Sequence, residues 1–511
     1  MNRIMDFFRR PETIFLCAVA GIAIVLHLFL LPQLNIIEDE SAYMQDAAQI
    51  TPSFLPFRDF GGTKGPLWLF IFHAWQKVFG YSLLATRLFS SLAHVGSIFL
   101  FWHLVRSFPI SRGAVYISTA LWGLSAVVIS LTTNITHIPL ELVCIFAGFL
   151  LLRSPRSHAP TLAALFLFAA LLMRASAIAF VPAALVLIFI RNDRWKALLR
   201  ISIAFFAVLL ITIAIVYPLY GWPKTAFFFN ADATLIANKQ RAAYATVEPV
   251  SPFQMLYNAA LPLRLDGKSI LFPALFFPLV IIFQIVWKKD WSKQLVLLLL
   301  VWVGSFILFY KGWGRSPTPF YPLESIPALS VAAALTLDAL WSWGKKVKLG
   351  NACIIAFLLL FLADSLASYQ DIPVKQYRGT VEVQAAQGVA DILKQQVRPG
   401  EHVFTAQPSY VYLAGLPLYG GYTHPGWYLS ERAGYLPTEI RRVFLPDFEI
   451  LAGSVEKDIT WIVADWRTND VYFNEGAPVT ADLRAVLLNS FEKFATVENP
   501  ASRDIVIYKR K

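Results

Sequence analysis

Long apolar runs separated by short polar connections dominate the chain up to about residue 369. An apolar run over about residues 13–31 follows a start that carries Arg3, Arg9 and Arg10, and it has no small-residue cleavage site. This run predicts a retained first membrane helix, because many more runs follow it. Most of these later runs approach the ~20 residues that a helix needs to cross a bilayer. They cover about residues 83–105, 113–132, 137–152, 160–173, 176–190, 199–219, 270–287, 293–310, 318–341 and 350–368.

The positions of Lys and Arg indicate how these helices are oriented. Cytoplasmic loops of membrane proteins are enriched in both residues. With about eleven spans, the N-terminus and all the basic connections fall on one side, which we predict to be cytoplasmic. The runs at 160–173 and 176–190 are short, so a single long helix over both of them is an alternative. The basic connections are residues 106–112, 153–156, 191–200, 288–293 and 345–348.

Two long loops are predicted on the opposite, outer face. The first covers residues 32–82, and its stretch 66–80 is apolar but too short to span. Such a stretch suits a helix lying in the membrane interface or a re-entrant segment. The second loop covers residues 220–269 and is rich in aromatic residues and in cations such as Lys224.

The tail has a different character, because charged residues become frequent there. Its amphipathic and alternating patterns predict a small α/β domain on the outer face. We therefore divide the chain into a polytopic α-helical transmembrane domain, residues 1–369, and an extracytoplasmic α/β domain, residues 370–511. The predicted tail elements are helices at 380–397 and 482–489 and strands at 402–406, 459–464 and 504–508.

Composition excludes the ordinary soluble classes. Only 15% of the residues are charged, 57% are hydrophobic, and the mean hydropathy is +0.56. A soluble domain carries about 25% charged residues, so a cytosolic enzyme, a disordered chain and a collagen-like chain are excluded. The net charge of +11 is spread over short clusters between apolar runs, and we therefore expect no nucleic-acid partner.

Two polar features in the first loop are candidates for chemistry. Glu38, Asp39 and Glu40 follow the first span directly. They suit either the positive end of a helix dipole or a general base facing a lipid-borne substrate. Lys64 precedes the apolar stretch 66–80 and suits either a snorkelling anchor or a phosphate contact at headgroup depth.

Together these features resemble the membrane-embedded C-type glycosyltransferases. The similar branch contains the protein O-mannosyltransferases and the lipid A aminoarabinose transferase, of the glycosyltransferase family 39 type. The local motif, over about residues 35–90, is an Asp-Glu pair followed by Tyr43, a Lys-Pro-Pro-Leu-like element at 64–67, and Arg87 opening the next span. Gly65 replaces the first Pro of that element. The predicted architecture extends the resemblance over most of the chain.

The resemblance implies an enzyme that moves a sugar from a polyprenyl-phosphate donor to a hydroxyl of a lipid, glycan or protein. It implies Asp39 as the catalytic carboxylate, with Glu40 beside it, and Lys64 as a contact for the lipid phosphate. A single carboxylate base without a covalent nucleophile implies inversion at the sugar. Further candidate cations for the phosphate are Arg58, Arg174 and Arg241.

The resemblance also implies a second acidic residue at the outer end of the fourth span. The usual Asp is missing there, and Glu141 and His137 are the candidates. A first-turn helix carboxylate and a hydrogen-bonded interface histidine are the respective alternatives. We identify no set of metal ligands, so no cofactor is assigned and a divalent metal ion stays open.

By the same resemblance, we expect a bacterial inner membrane. The placement of Lys and Arg predicts a cytoplasmic N-terminus and an extracytoplasmic C-terminal domain. Two other functions stay open, a flippase or transporter for lipid-linked sugars and a non-catalytic scaffold for envelope assembly. Transporters often show internal repeats and polar sites at the membrane midplane. We detect no repeat, and the polar residues that are candidates for chemistry lie at the predicted outer interface.

Overall fold

A computed structural model describes most of the chain. The predicted spans at 270–287 and 350–368, the predicted domain boundary near 369 and Arg241 lie outside the described residues, apart from a few isolated positions in 350–368. The described ranges are 11–60, 64–222, 293–311, 321–346, 381–405, 407–419, 457–465, 486–500 and 503–511, with single residues such as Lys224 and Phe228 between them.

Helices form most of the first 220 residues. Among the described residues, α1, α4 and α10 are long and apolar enough to cross a membrane, and α5 with α6 is a fourth candidate bent by 42°. The helices are α1 (Pro11–Leu30), α2 (Glu38–Ala48), α3 (Pro66–Phe79), α4 (Leu83–Arg106), α5 (Arg112–Leu124), α6 (Ala126–Thr133), α7 (Ile138–Arg153), α8 (Ala159–Met173), α9 (Val181–Phe189) and α10 (Arg194–Tyr220).

The chain is interrupted between α8 and α9. Arg174 has extended backbone, with φ −161° and ψ 134°, and a 3₁₀ turn at Ala175–Phe180 follows it. The alternative of one continuous helix over these residues is therefore wrong, and the predicted two separate segments are confirmed. Beyond α10, the described helices are α11 (Lys293–Lys311) and α12 (Ile326–Lys346), with a 3₁₀ turn at Tyr321–Glu324 between them.

Local chemistry explains where several helices begin and end. Pro66 occupies the first turn of α3, where its missing N–H costs no helical hydrogen bond. Gly80 ends α3 with φ +87°, a conformation that a residue with a Cβ rarely adopts. Ser111 starts α5 by accepting a hydrogen bond from the Ala114 N–H. The short predicted interfacial segment is therefore a helix with defined ends.

The surface of the helices is apolar. Most side chains of α10 are solvent-facing, among them Leu199, Ile203, Phe206 and Leu210. A soluble monomer rarely exposes a contiguous apolar patch of this kind, and a bilayer accounts for it. The protein is therefore a polytopic helical membrane protein, and the number of about eleven spans stays a prediction.

The described part of the tail contains one sheet of four strands in the order β1-β2-β4-β3. The pair β1–β2 is parallel, whereas β2–β4 and β4–β3 are antiparallel. Three strands and the first helix confirm predicted elements, and β3 was not predicted. The strands and tail helices are α13 (Val383–Gln396), β1 (His402–Thr405), α14 (Ser409–Ala414), β2 (Ile459–Ala464), β3 (Phe491–Val497) and β4 (Ile505–Arg510).

Two compact units divide the chain. We call the described residues of 1–30, 90–212 and 243–374 the helical unit, and those of 31–89, 213–242 and 375–511 the loop–tail unit. The core of the loop–tail unit packs α13, α14 and the sheet together with Ile36 and Met44 from the first loop. The first predicted loop and the tail therefore share one hydrophobic core.

Candidate functional site

The helix α2 carries the predicted catalytic residues in its first turn. It begins at Glu38, and the Ile37 cap position supplies no side-chain hydrogen bond. Three acidic residues at this end suit the partial positive charge of the unpaired backbone N–H groups. The side chains of Glu38 and Asp39 lie outside the description, whereas that of Glu40 is described.

Glu40 forms a buried ion pair with Arg87 of α4. Arg87 Nε donates to Glu40 Oε1 and Arg87 Nη2 donates to Glu40 Oε2, both at 2.8 Å. The other guanidinium N–H groups donate to the carbonyls of Leu31 (2.5 Å), Leu34 (2.8 Å) and Asn35 (3.1 Å). Arg87 therefore fixes the chain that leads into α2 as well as α2 itself. The catalytic role predicted for Glu40 stays a prediction.

Lys64 lies beside α2. Its Nζ is 5.6 Å from the centroid of the Tyr43 ring, within the range of a cation–π contact. The Tyr43 ring packs edge-on against Trp68 of α3, with centroids 5.2 Å apart. Position 39 is one helical turn before Tyr43, and residues four apart share a helix face. The structure thus brings Lys64 to the face of α2 that includes position 39.

Arg58 is engaged by its neighbour in the first loop. Its Nε donates to Asp59 Oδ2 and its Nη2 to the Ser53 carbonyl, each at 2.7 Å. This hydrogen bond to the Asp59 carboxylate raises the pKa of Arg58. Lys224 Nζ donates to the Arg58 carbonyl at 2.8 Å, so a cation of the second loop meets the first loop here. A phosphate role for Arg58 stays a prediction.

The tail is hydrogen-bonded directly to the segment that carries α2. Ile36 and Val381 exchange two backbone hydrogen bonds, of 2.8 and 3.0 Å. The Ser409 N–H donates to Ser41 Oγ at 2.6 Å. These contacts join residues more than 300 positions apart, and sequence reasoning missed them because nothing local to either partner signals the other.

Tyr412 makes a further connection between tail and loop. Its hydroxyl accepts from Gln76 Nε2 at 3.2 Å and lies 3.1 Å from Thr86 Oγ1. Burial raises the pKa of Tyr412 to about 12, so the phenol stays neutral near pH 7. Thr86 precedes Arg87, and Tyr412 therefore supports the helix end that holds the Glu40 ion pair.

Another predicted cation, Arg174, belongs to the helical unit. Its Nη1 donates to Glu324 Oε1 at 2.5 Å, and both side chains are almost completely buried. Ser176 Oγ donates to the same carboxylate oxygen at 3.0 Å, and Trp302 Nε1 donates to the Glu324 carbonyl at 3.1 Å. Arg174 therefore has the carboxylate partner that an ionisable residue needs inside a membrane protein. Its predicted phosphate role stays a prediction.

The candidates for a second acidic site also belong to the helical unit. His137 occupies the position before the first turn of α7 without a capping side-chain hydrogen bond, and Glu141 lies in that first turn. Both side chains are buried. Within the part of the chain that the structure describes, no three His, Cys, Asp or Glu side chains are grouped as a metal site. A second acidic site at Glu141 stays a prediction.

Comparison of the sequence with known proteins gives no family: no family model and no curated protein matches it. Solved structures do match. The apo crystal structure of ArnT from Cupriavidus metallidurans superposes with a TM-score of 0.62 at 15% identity, covering 98% of each chain. The same protein bound to undecaprenyl phosphate gives a TM-score of 0.59 at 15% identity over 96% of this chain and 97% of the other.

A second similar protein is the oligosaccharyltransferase AglB from Archaeoglobus fulgidus, in complex with an inhibitory peptide and a dolichol phosphate. It gives a TM-score of 0.52 at 12% identity, over 89% of this chain and 70% of the other. At such identities the likeness shows a common fold. The chain therefore has the fold of the membrane-embedded C-type glycosyltransferases, as the sequence resemblance implied.

Proposed function

We propose that this protein is an integral-membrane glycosyltransferase that uses a polyprenyl-phosphate sugar, with Asp39 as the general base. The observation that carries the proposal is the position of Lys64. Its ammonium group lies against Tyr43, one turn after position 39, on a helix that the Glu40–Arg87 ion pair holds in place. A base and a phosphate-binding cation are the two groups that this transfer requires.

The proposed reaction is a single displacement. An acceptor hydroxyl attacks the anomeric carbon and passes its proton to Asp39, while the bond from that carbon to the phosphate oxygen breaks. The leaving polyprenyl phosphate keeps the bonding electrons, and Lys64 stabilises its charge. The transition state has oxocarbenium character, and one displacement inverts the anomeric configuration. The donor tail stays in the bilayer throughout.

The grouping of the predicted outer segments supports the proposed topology. Asp39 and Lys64 of the first loop belong to the same compact unit as the described part of the tail. We infer that these loop and tail segments lie on the extracytoplasmic side. A structure of similar fold is bound to undecaprenyl phosphate, which agrees with a lipid phosphate as the donor carrier. A bacterial inner membrane is the proposed location.

The test is an Asp39→Asn substitution, with sugar transfer measured in membranes that contain equal amounts of protein. Mass spectrometry of envelope glycans and lipid-linked sugars identifies donor and product. General bases contribute about 10²–10⁴-fold, and we expect a loss of that size. The matched control is Asp391→Asn, an exposed carboxylate on α13. Transfer at the wild-type rate in Asp39→Asn would remove this residue from the mechanism.

The same measurements separate the two other functions. Movement of the lipid-linked sugar across the membrane without a transferred product would identify a flippase. Normal envelope assembly in both Asp39→Asn and Lys64→Ala, with assembly lost when the tail is deleted, would identify a scaffold.

A further inference from the structure

Buried polar side chains collect at the carboxyl ends of the two parallel strands of the tail. Thr405 and Val463 are paired at the ends of β1 and β2. Gln407 and Asp465 each follow two residues later, so they leave the sheet at the same edge, and both are fully buried. In open α/β sheets this edge is where ligands bind.

Gln407 has an unmet capacity for hydrogen bonds. Within the described part of the chain, neither its side-chain nitrogen nor its oxygen has a hydrogen-bond partner, although the residue is fully buried. The Ser409 hydroxyl is in the same state. Folded proteins pair nearly all such groups, so each unpaired one needs an explanation.

These groups adjoin α2. The Ser409 N–H donates to Ser41 Oγ at 2.6 Å, and Tyr410 donates its hydroxyl hydrogen to Asp465 Oδ2 at 3.2 Å. One helical turn beyond Ser41, Gln45 Oε1 is also buried without a hydrogen-bond partner among the described residues. We call Gln407, Ser409, Asp465 and Gln45 the strand-edge cluster.

We infer that the strand-edge cluster binds the hydroxyl groups of a sugar-bearing acceptor. An amide and a hydroxyl each donate and accept, which is the capacity that sugar hydroxyls require. The four members of the cluster include no cation, so it does not suit a phosphate. This assignment rests on the proposed transferase function and adds the acceptor class to it.

The acceptor is favoured over the donor by the geometry of α2. Successive residues leave a helix about 100° apart, so positions 41 and 45 each lie about 200° around the axis from Tyr43. Lys64, the proposed donor contact, is on the Tyr43 side. The cluster is therefore on the side of α2 opposite Lys64, where it suits a sugar of the acceptor other than the one whose hydroxyl reaches Asp39.

The test is Gln407→Met in the full-length protein, purified into lipid nanodiscs. An apolar side chain of similar length removes the unpaired amide, so we expect the thermal unfolding temperature to rise or stay level. We expect the KM for the acceptor to rise about tenfold through the lost hydrogen bonds, with the KM for the donor unchanged. Gln384→Met, an exposed glutamine on α13, is the matched control.

Donor and acceptor are supplied as lipid-linked sugars and as glycan or lipid A fractions extracted from the same envelope, and each is varied separately. A rise in the donor KM alone would overturn the acceptor assignment. Equal KM values in variant and wild type would overturn the assignment of an acceptor site. An enclosed water molecule would then account for the hydrogen-bonding capacity of the Gln407 amide.

A binding measurement separates this inference from the proposed function. The labelled nanodisc protein is applied to an array of bacterial glycans, with Asp39→Asn as a second variant. Wild-type binding that is lost in Gln407→Met and kept in Asp39→Asn supports the cluster even if no sugar transfer is found. No binding by the wild-type protein, or equal binding by Gln407→Met, would overturn it.

Discussion

The guanidinium group of Arg87 binds both carboxylate oxygens of Glu40, each at 2.8 Å, in an environment closed to solvent. Paired geometry of this kind adds orientation to attraction, because two parallel hydrogen bonds fix the plane of the carboxylate. Glu40 is therefore suited to fix the position of α2, the helix that also carries the neighbouring Asp39.

We predict that Glu40→Gln destabilises the protein. Removing one partner of a buried ion pair leaves an uncompensated charge, at a cost of about 3–5 kcal/mol. The measurement is the thermal unfolding temperature of the purified protein in detergent. Glu492→Gln, an exposed carboxylate on β3, is the control. A Glu40→Gln protein as stable as the wild type but inactive would instead support a catalytic Glu40.

We predict that Lys64→Ala weakens binding of undecaprenyl phosphate about 10–100-fold, since a hydrogen bond to a charged group contributes about 1.5–3 kcal/mol. Lys64→Arg keeps the charge and should recover part of the affinity. Binding to nanodisc protein is measured with labelled undecaprenyl phosphate, and Lys394→Ala on the exposed side of α13 is the control. Equal losses of donor and acceptor affinity would argue against a phosphate contact.

We predict that Tyr412→Phe lowers the turnover number more than it changes either KM. Loss of the hydroxyl removes one buried partner each from Gln76 and Thr86, at a cost of about 1–3 kcal/mol, and loosens the start of α4 next to Arg87. Initial rates and thermal unfolding are measured together. Tyr508→Phe, on the partly exposed strand β4, should match the wild type in both. A normal turnover number in Tyr412→Phe would show that this contact contributes only to folding.

We predict that Glu324→Gln destabilises the helical unit by about 3–5 kcal/mol, because Arg174 is buried with that carboxylate. The double variant Arg174→Met with Glu324→Leu should recover most of the stability, since two apolar side chains replace a buried pair with little cost. If the double variant is stable and transfers sugar normally, Arg174 has no role in donor binding. A stable double variant with a weakened donor affinity would give it one.

Sequence patterns predicted the elements that depend on local composition. Apolar runs located most helices, and alternating apolar residues located three of the four tail strands. They missed β3, because it is an edge strand with four exposed side chains among seven and without strict alternation of apolar and polar residues. In a single sequence, a strand without an alternating pattern is difficult to distinguish from a loop.

The candidate site was predictable only in part. Asp39 and Lys64 were proposed from a short motif, and their roles stay predictions. Arg87 as the partner of Glu40 and Glu324 as the partner of Arg174 were not found, because each pairing depends on a tertiary contact. The partners are far apart in the sequence, so only co-variation among homologous sequences would identify such pairs.

The contacts of Ile36 with Val381 and of Ser41 with Ser409 have a consequence for biosynthesis. The ribosome releases the first loop long before it reaches the strands that complete the shared core. Until Val381 and Ser409 have been translated, α2 lacks those anchors. The position of α2 is thus fixed only late in synthesis, after residues 381–409 have left the ribosome.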